Sequence, residues 1–143
     1  MKYECVVGKL REINALSEKY FSRRIKELNM PILENHIPLF YVLPVTGESK
    51  LYNEIVEEWG ISKSSISDII NKYAKLGYVI KYPCKEDKRT IYVEMTAEGR
   101  EIRNQLHTIE QEVLNQFYNG FNNDEVDDFN LRVNKALSNI NKL

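Results

Sequence analysis

The sequence predicts a mostly α-helical protein with a small β-hairpin, and three observations support that fold class. Several long segments carry apolar residues at every third or fourth position, which is the spacing of an amphipathic helix. Two short segments rich in β-branched and aromatic residues, 78–82 and 90–95, flank a polar turn. A helix, a glycine-containing turn and a second helix precede this hairpin. Together these features predict a winged helix-turn-helix flanked by long N-terminal and C-terminal helices.

The composition is that of a folded domain. The chain has 143 residues, of which 43% are apolar and 29% are charged, and this length suits one domain with a single core. No run approaches the roughly 18 apolar residues of a membrane span, and Glu4, Lys9 and Arg11 interrupt any apolar core of a signal peptide. The two cysteines, Cys5 and Cys84, give no disulfide framework. We therefore expect a cytoplasmic protein that does not associate with membranes.

The charge of the chain is unevenly distributed. The formal net charge of −1 argues on its own against nucleic acid. Residues 60–96, however, carry seven basic and four acidic side chains, a local charge of +3, whereas residues 97–143 carry five basic and eight acidic ones, a local charge of −3. A phosphate backbone meets one face of a protein rather than its average, so the middle of the chain is a candidate DNA-binding surface.

The first predicted helix is long and amphipathic, and it covers residues 6–28. Its apolar residues lie at positions 6, 10, 13, 16, 20, 21, 25 and 28, and Asn29-Met30-Pro31 ends it. A helix of this length is unusual in so small a domain. We expect its apolar stripe to pack against another chain or another long helix.

The second predicted helix is shorter and covers residues 32–43. Most of its sides are apolar, which indicates a core helix, with Pro38 in the first turn and Pro44 as the stop. Residues 45–50, which include Gly47, are predicted to form a loop.

A helix-turn-helix is predicted next. Its first helix covers residues 51–59, and Gly60 supplies the positive φ that the four-residue connection needs. Ser62 caps the second helix, and Gly77 lies where a left-handed residue would end it. The apolar stripe of this second helix consists of Ile66, Ile69, Ile70 and Tyr73.

The opposite side of this second helix carries candidate DNA-binding residues. Short hydroxyl side chains reach phosphates and base edges, and the N-terminus of a helix favours phosphate. We expect this side to enter the major groove; the alternative is a serine-rich cap on a surface helix. The candidates are Ser62, Lys63, Ser64, Ser65, Ser67, Asp68, Asn71 and Lys72.

Two of these candidates suggest particular contacts. Asn71 is of the type that reads an adenine edge. Asp68 is unusual on a DNA-facing surface because a carboxylate repels phosphate. It can contribute by accepting a hydrogen bond from a cytosine amino group, or by orienting Lys72.

The charged turn between the two strands predicts the wing. Lys85, Lys88 and Arg89 are its candidate DNA contacts, with Lys88 or Arg89 in the adjacent minor groove, where the negative potential is strongest. Asp87 is expected to pair with Arg89 or to cap the amides of the turn, and so to hold the shape of the wing. A solvated β-turn is the alternative.

Two further amphipathic helices complete the chain. Thr96 caps the first, whose apolar residues lie at 102, 106, 109, 113 and 117, and Asn119-Gly120 ends it. Asn123 or Asp124 caps the second, whose apolar residues lie at 126, 129, 133, 137 and 140. The central unit cannot cover three such stripes, so we predict a homodimer with interdigitated terminal helices. Packing of these helices within one chain is the alternative.

The chain resembles the MarR (multiple antibiotic resistance regulator) family. The resemblance rests on Asp87-x-Arg89 followed by Thr96-x-x-Gly99, after the helix containing Ser64-Ser-Ile-Ser-Asp-Ile-Ile-Asn71 and after Leu76-Gly-Tyr-Val79. It implies a homodimeric transcription factor, usually a repressor, that binds a pseudo-palindromic operator and is often released by a small ligand. Asp68 is a departure, because many members have a basic residue there.

The resemblance also implies how the chain is organised. It covers nearly all of one domain, 1–143, with dimerisation helices at 1–30 and 97–143 and the winged helix-turn-helix at 31–96. In similar proteins effectors bind between the dimerisation helices and the DNA-binding lobe. The corresponding residues here are Tyr20, Arg24, His36, Phe40 and Tyr41, although core or simple surface positions are the alternative for each.

Two other kinds of protein remain open from the sequence. A winged helix that assembles with another protein is favoured by the mild charge and by Asp68. A redox-sensing regulator would act through Cys84, whose neighbours Lys81 and Lys85 favour a thiolate, or through Cys5 near the first helix.

An enzyme has the least support. The chain offers no nucleophile–base pair, no paired carboxylates in an apolar setting and no glycine-rich phosphate loop. His36 and His107 are too few and too far apart for a metal site, and no cofactor is predicted.

Overall fold

The computed structural model of the chain describes residues 4–143 and divides into two compact units. The first unit ends at Glu110 and the second is Gln111–Leu143. Within residues 4–143, no helix has the length and apolar character needed to cross a membrane. The elements are α1 (Val6–Glu27), a 3₁₀ turn (Glu34–His36), α2 (Ile37–Val42), β1 (Lys50–Leu51), α3 (Tyr52–Trp59), α4 (Lys63–Lys75), β2 (Val79–Pro83), β3 (Ile91–Met95), α5 (Ala97–Phe117) and α6 (Asn123–Ile140).

The predicted helix-turn-helix is confirmed by α3 and α4. Gly60 ends α3 with φ of 74°, and the Ser62 hydroxyl caps α4 by accepting a hydrogen bond from the Ser65 amide at 3.2 Å. Gly77 follows α4 with φ of 85°. The predicted apolar stripe of α4 is buried at all four positions, Ile66, Ile69, Ile70 and Tyr73.

The wing is an antiparallel sheet with three strands in the order β1-β3-β2. The predicted hairpin is confirmed, with Val79 opposite Met95 and Pro83 opposite Ile91. The strand β1 lies in the segment predicted as loop and helix, and its Lys50 is opposite Val93. A strand of two residues shows no periodicity, which is why the sequence pattern missed it.

The second helix is shorter than predicted. Residues 32 and 33 precede it without helical structure, and a 3₁₀ turn leads into α2 at Ile37. Leu33 is extended, with ψ of 143°, and its amide donates to the Tyr73 hydroxyl at 3.2 Å. This contact with α4 overrides the local apolar pattern.

The start of α6 was predicted one or two residues too late. Its cap is Asn122, whose side-chain oxygen accepts from the Glu125 amide at 2.8 Å. The Glu125 carboxylate in turn accepts from the Asn122 amide at 3.2 Å. This reciprocal capping box favours Asn122 over Asn123 or Asp124.

The described residues of the first unit form one apolar core, on which the buried side of α4 rests. The core leaves the other side of α4 free to contact a partner. Its fully buried side chains include Leu39, Phe40, Leu43, Ile55, Ile66, Tyr73, Val79, Val93, Leu106 and Ile109.

Thr96 joins the ends of α4 and α5 in a contact that we call the Thr96 clasp. Its hydroxyl donates to the Gly77 carbonyl at 2.7 Å and accepts from the Gly99 amide at 3.1 Å. A Cβ atom on Gly99 would lie 2.1 Å from the Tyr78 carbonyl oxygen, so this turn of α5 can approach the residue that precedes β2 only without a side chain. The clasp, formed by Gly77, Thr96 and Gly99, explains the Thr-x-x-Gly motif.

The second unit is a helical hairpin with an aromatic cluster. Phe117 lies edge-on to Phe129 with ring centroids 5.5 Å apart, and Phe121 lies edge-on to Phe129 at 6.0 Å. The Tyr118 hydroxyl donates to the Asn130 side-chain oxygen at 2.7 Å. No residue of α6, all of which the structure describes, is buried.

Candidate nucleic-acid interface

The N-terminus of α4 presents a cluster of hydroxyl groups. The Ser62 hydroxyl donates to that of Ser65 at 2.8 Å and lies 3.3 Å from that of Ser64. Lys63 is exposed beside them, and the Tyr52 hydroxyl donates a hydrogen bond to the Lys63 carbonyl at 2.6 Å. The first turn carries no acidic side chain. The positive end of the helix and its hydroxyl donors therefore face solvent, which suits phosphate oxygens.

Further along α4, Asp68 and Lys72 are exposed while Ser67 and Asn71 are half-buried. The Lys72 ammonium lies 5.5 Å from the centre of the Tyr73 ring. Among the ion pairs of the described residues, none joins Asp68 to Lys72. The structure thus gives no support to the expectation that Asp68 orients Lys72, and leaves its carboxylate free to accept a hydrogen bond from a base.

A hydrogen bond connects α4 to the wing. The Lys81 ammonium on β2 donates to the side-chain oxygen of Asn71. Lys81 is missing from the residues that the sequence predicted to contact DNA. The alternation of side chains along β2 could have identified it, because this alternation places Lys81 on the same face as the buried Val79.

A crevice of about 460 Å³ separates α4 from the wing. The sequence did not predict it, because residues far apart in the chain form it. Three predicted DNA contacts, Ser67, Asn71 and Arg89, belong to its walls. The remaining lining residues are Tyr52, Asn53, Ile70, Lys81, Tyr82, Pro83, Ile91 and Val93.

At the tip of the wing, Asp87 makes both of the interactions expected of it. Its carboxylate accepts from the Arg89 amide at 3.0 Å and from the Thr90 hydroxyl at 3.3 Å. It also lies 3.6 Å from Arg89 Nε. Lys85, Lys88 and Arg89 are exposed, and the Arg89 side chain is 96% exposed. The cations of the tip are therefore available to a phosphate backbone.

Cys84 lies at the base of the wing, where the backbone, rather than lysine, perturbs its thiol. Hydrogen bonds from the Asp87 amide, then the Glu86 amide, and then from the Tyr92 hydroxyl lower the pKa of Cys84. The lysines invoked from the sequence are not among the causes, because the thiol meets the turn itself. Cys5 instead caps α1, and its sulfur accepts from the Gly8 amide at 3.3 Å.

Two of the predicted effector-binding residues belong to the core. Phe40 is fully buried. His36 is buried as well, with Nδ1 lying 2.9 Å from the Tyr73 hydroxyl. Because that hydroxyl already accepts from the Leu33 amide, its own proton is available to His36. Burial, and then the charge of Lys72, lowers the pKa of His36.

The other three predicted effector-binding residues make separate local contacts. The Arg103 guanidinium lies 3.9 Å from the centre of the Tyr41 ring, and Arg23 lies 5.0 Å from that of Tyr20. Arg24 pairs with Glu27 at 2.8 Å. The binding of an effector by these five residues stays a prediction.

Metal binding has no evident site in the part of the chain that the structure describes. No group of three or more His, Cys, Asp or Glu side chains there could hold a metal ion.

Comparison with known proteins gives sequence matches over the middle of the chain. Residues 40–90 match the model of the MarR family. The chain is also 30% identical over 77 residues to the HTH-type transcriptional regulator SarZ of Staphylococcus epidermidis, a match covering 53% of this chain and 52% of SarZ. The chain thus matches about half the length of that relative.

Comparison with solved structures extends the likeness to nearly the whole chain. The apo form of wild-type MarR from E. coli has a TM-score of 0.75 at 16% identity, covering 96% of this chain and 99% of that one. A cysteine-to-serine mutant of E. coli MarR complexed with operator DNA has a TM-score of 0.72 at 18% identity, covering 92% and 93%. BpsR of Bordetella bronchiseptica, whose DNA binding is regulated by 6-hydroxynicotinic acid, has a TM-score of 0.72 at 15% identity, covering 95% and 97%.

Proposed function

We propose that this chain is a transcriptional regulator of the MarR family that binds double-stranded DNA in the cytoplasm; the match over residues 40–90 and the fold support the proposal. The observation that carries the proposal is the exposed polar side of α4, supported by the core and placed beside a cationic wing. In this arrangement α4 enters the major groove, where serine hydroxyls and Lys63 contact phosphates. Lys85, Lys88 and Arg89 of the wing reach the adjacent minor groove.

The regulator acts as a homodimer. The exposed apolar side chains of α1 and α6 support this, because they are spaced as continuous helical stripes. Leu16 is 61% exposed in α1, and Leu137 and Ile140 are 58% and 60% exposed in α6. Stripes of this kind mark surfaces that another chain covers. A two-fold symmetric dimer places two copies of α4 on a pseudo-palindromic operator.

The regulator represses by occupying its operator, and a small effector releases it. The crevice between α4 and the wing is the best-supported effector site, because its walls include Ser67, Asn71 and Arg89. An occupant would therefore compete with DNA for these side chains. The aromatic rings of Tyr52 and Tyr82, together with the cations, suit a planar aromatic anion.

An electrophoretic shift on DNA upstream of the coding region, titrated with salt, tests DNA binding. Replacing Lys63 or Arg89 with alanine should weaken binding to all sequences similarly and flatten the salt slope by about one unit for each lost phosphate contact. Lys135→Ala, which removes the same charge from α6, is the matched control. The absence of any shift beyond that of competitor DNA at low salt would contradict the proposal.

Measuring the mass of the particle in solution separates DNA binding from the alternative of a protein–protein module. A dimer that gains the mass of one operator duplex supports the regulator. A monomer that ignores DNA and joins a protein partner would support the alternative.

A further inference from the structure

We propose that Lys81 of the wing fixes the Asn71 amide of α4 with its oxygen toward the wing and its NH₂ group toward DNA, and thereby sets which bases the recognition helix prefers. The inference rests on the proposed DNA binding and adds a specificity-determining pair to it. Asn71 is the reading residue, and Lys81 is a positioning residue that acts through it.

The chemistry of the two side chains fixes the orientation of the Asn71 amide. An asparagine amide has an oxygen that accepts and an NH₂ group that donates, and the two ends are normally hard to tell apart. A lysine ammonium can only donate. The end of Asn71 that faces the Lys81 ammonium must therefore be its oxygen, and a charged donor makes that bond stronger than one between neutral groups.

The register of the wing places Lys81 where it can make this bond. Lys81 lies opposite Val93 in the sheet, and side chains two apart on a strand share a face. Val79, on that face, is fully buried. Lys81, further along the same face, lines the crevice together with Asn71. The register of the sheet thus brings the exposed Lys81 side chain within reach of Asn71.

The remaining hydrogen-bonding capacity of Asn71 determines the bases that it can read. Bidentate recognition of adenine needs the amide oxygen to accept from N6 and the NH₂ group to donate to N7. Because Lys81 holds the oxygen toward the wing, the NH₂ group with its two N–H donors is the end of the Asn71 amide that is presented to the bases. These match edges that accept, the O6 and N7 atoms of guanine or the O4 atom of thymine. The structure thus points away from the adenine contact expected from the sequence.

Selection of bound sequences from random DNA tests this inference. The wild-type protein should select guanine or thymine at one position of each half-site, and Asn71→Ala should abolish the preference there. Lys81→Met frees the amide oxygen, so we expect adenine to gain on guanine at that position by about tenfold or more, the size of one bidentate contact. Lys81→Arg retains a donor for Asn71 and should keep the wild-type preference.

Asn71→Asp gives a second measurement that does not disturb Lys81. The aspartate keeps an acceptor toward Lys81 but replaces the donors with a second acceptor, so the preference should move to cytosine or adenine, whose amino groups donate. Thermal unfolding of each variant shows that it is folded.

Three outcomes would overturn the inference. The first is that Lys81→Met selects the same motif as the wild-type protein. The second is that Lys81→Met binds all sequences more weakly without a change of motif, because Lys81 would then be a phosphate contact. The third is that Asn71→Asp keeps the preference for guanine or thymine. In these cases DNA binding itself stands, whereas the failure of the wild-type protein to select any motif would overturn both proposals.

Discussion

The helices α4 and α6 both carry apolar residues at helical spacing, but only α4 buries them within the chain. Ile66 and Tyr73 of α4 are fully buried, whereas Leu137 and Ile140 of α6 are 58% and 60% exposed. The two stripes fit the helical period equally well in the sequence. Periodicity therefore predicts that a helix has an apolar face, but it does not identify the surface that covers that face.

A second difference concerns the polar sides of the two helices. On α4, polar residues contact one another and the wing, as in the bond between Asn71 and Lys81. On α6, the polar contacts are local to the helical hairpin, as in the pair of Arg132 and Asp128 at 2.8 Å. The polar side of α4 is therefore the candidate binding surface of that helix. In α6 it is instead the apolar side that no other described part of the chain buries.

The largest effect is expected from Gly99→Ala, which tests how tightly the first unit is packed. The added methyl group would meet the Tyr78 carbonyl at 2.1 Å, so α5 must shift and the Thr96 clasp must loosen. We expect the free energy of unfolding to fall by about 3 kcal/mol, measured by urea denaturation. Glu98→Ala, in the same turn but exposed, should change stability by less than about 0.5 kcal/mol. Equal effects of the two substitutions would refute the close packing.

A smaller effect is expected from Leu137→Ala, which tests whether a second copy covers α6. Loss of a side chain buried between two copies weakens association by about 2 kcal/mol, roughly 30-fold in the dissociation constant. Analytical ultracentrifugation over a range of concentrations measures this change. Asn134→Ala, also on α6, is the control and should leave association unchanged. If Leu137→Ala also leaves association unchanged, the apolar stripe of α6 is not the dimer interface.

The buried His36 predicts a pH dependence for the first unit. Its pKa in the folded state is lowered by burial, so near and below the ordinary value of about 6.5 the unfolded chain binds more protons. Neutral, buried His36 therefore contributes its full stabilisation of the folded state above about pH 6.5, and this stabilisation is lost as the pH falls toward the folded-state pKa.

Melting temperatures measured between about pH 5 and 8 check the role of His36. His36→Asn, which can still accept from the Tyr73 hydroxyl, should reduce the decline of the melting temperature at acidic pH. His107→Asn, at an exposed position, should leave that decline unchanged. A decline unaffected by His36→Asn would place the titrating group elsewhere.

The smallest effect concerns Cys84 and tests whether the wing turn activates its thiol. Because amides of the turn lower the pKa of Cys84, iodoacetamide should modify the folded protein faster near neutral pH than it modifies a cysteine in an unstructured peptide. Tyr92→Phe removes one hydrogen bond to the sulfur and should slow the reaction modestly. Folded and unfolded chains that react at the same rate would show that the turn has no effect, and would weaken the redox alternative.

The sequence predicted the parts of the fold that depend on local pattern and on special backbone angles. The stripe of α4, the cap at Ser62 and the positive φ of Gly60 and Gly77 all follow from residue type and spacing. The two-residue strand β1 and the extended Leu33 were missed. Both are fixed by partners distant in sequence, Val93 and Tyr73, that no local pattern reveals.

The candidate site was predictable to a similar extent. Exposure of Lys63, Asp68 and Arg89 agrees with their assignment to one DNA-facing surface, and that assignment stays a prediction. The crevice and the bond from Lys81 to Asn71 depend on the distance between α4 and the wing, which requires the fold. Phe40 is fully buried, which agrees with the core position that the sequence left open as the alternative, because an aromatic residue suited to a ligand pocket is equally suited to a core.

The Thr96 clasp has a consequence for protein engineering. Any graft of this DNA-reading module onto another scaffold must carry Gly77, Thr96 and Gly99 along with α4, since a single hydroxyl joins the end of α4 to the start of α5. A transplant that stops at the end of the wing would omit that junction. The shortest segment that can be transferred with this junction intact therefore extends past β3 into the first turn of α5.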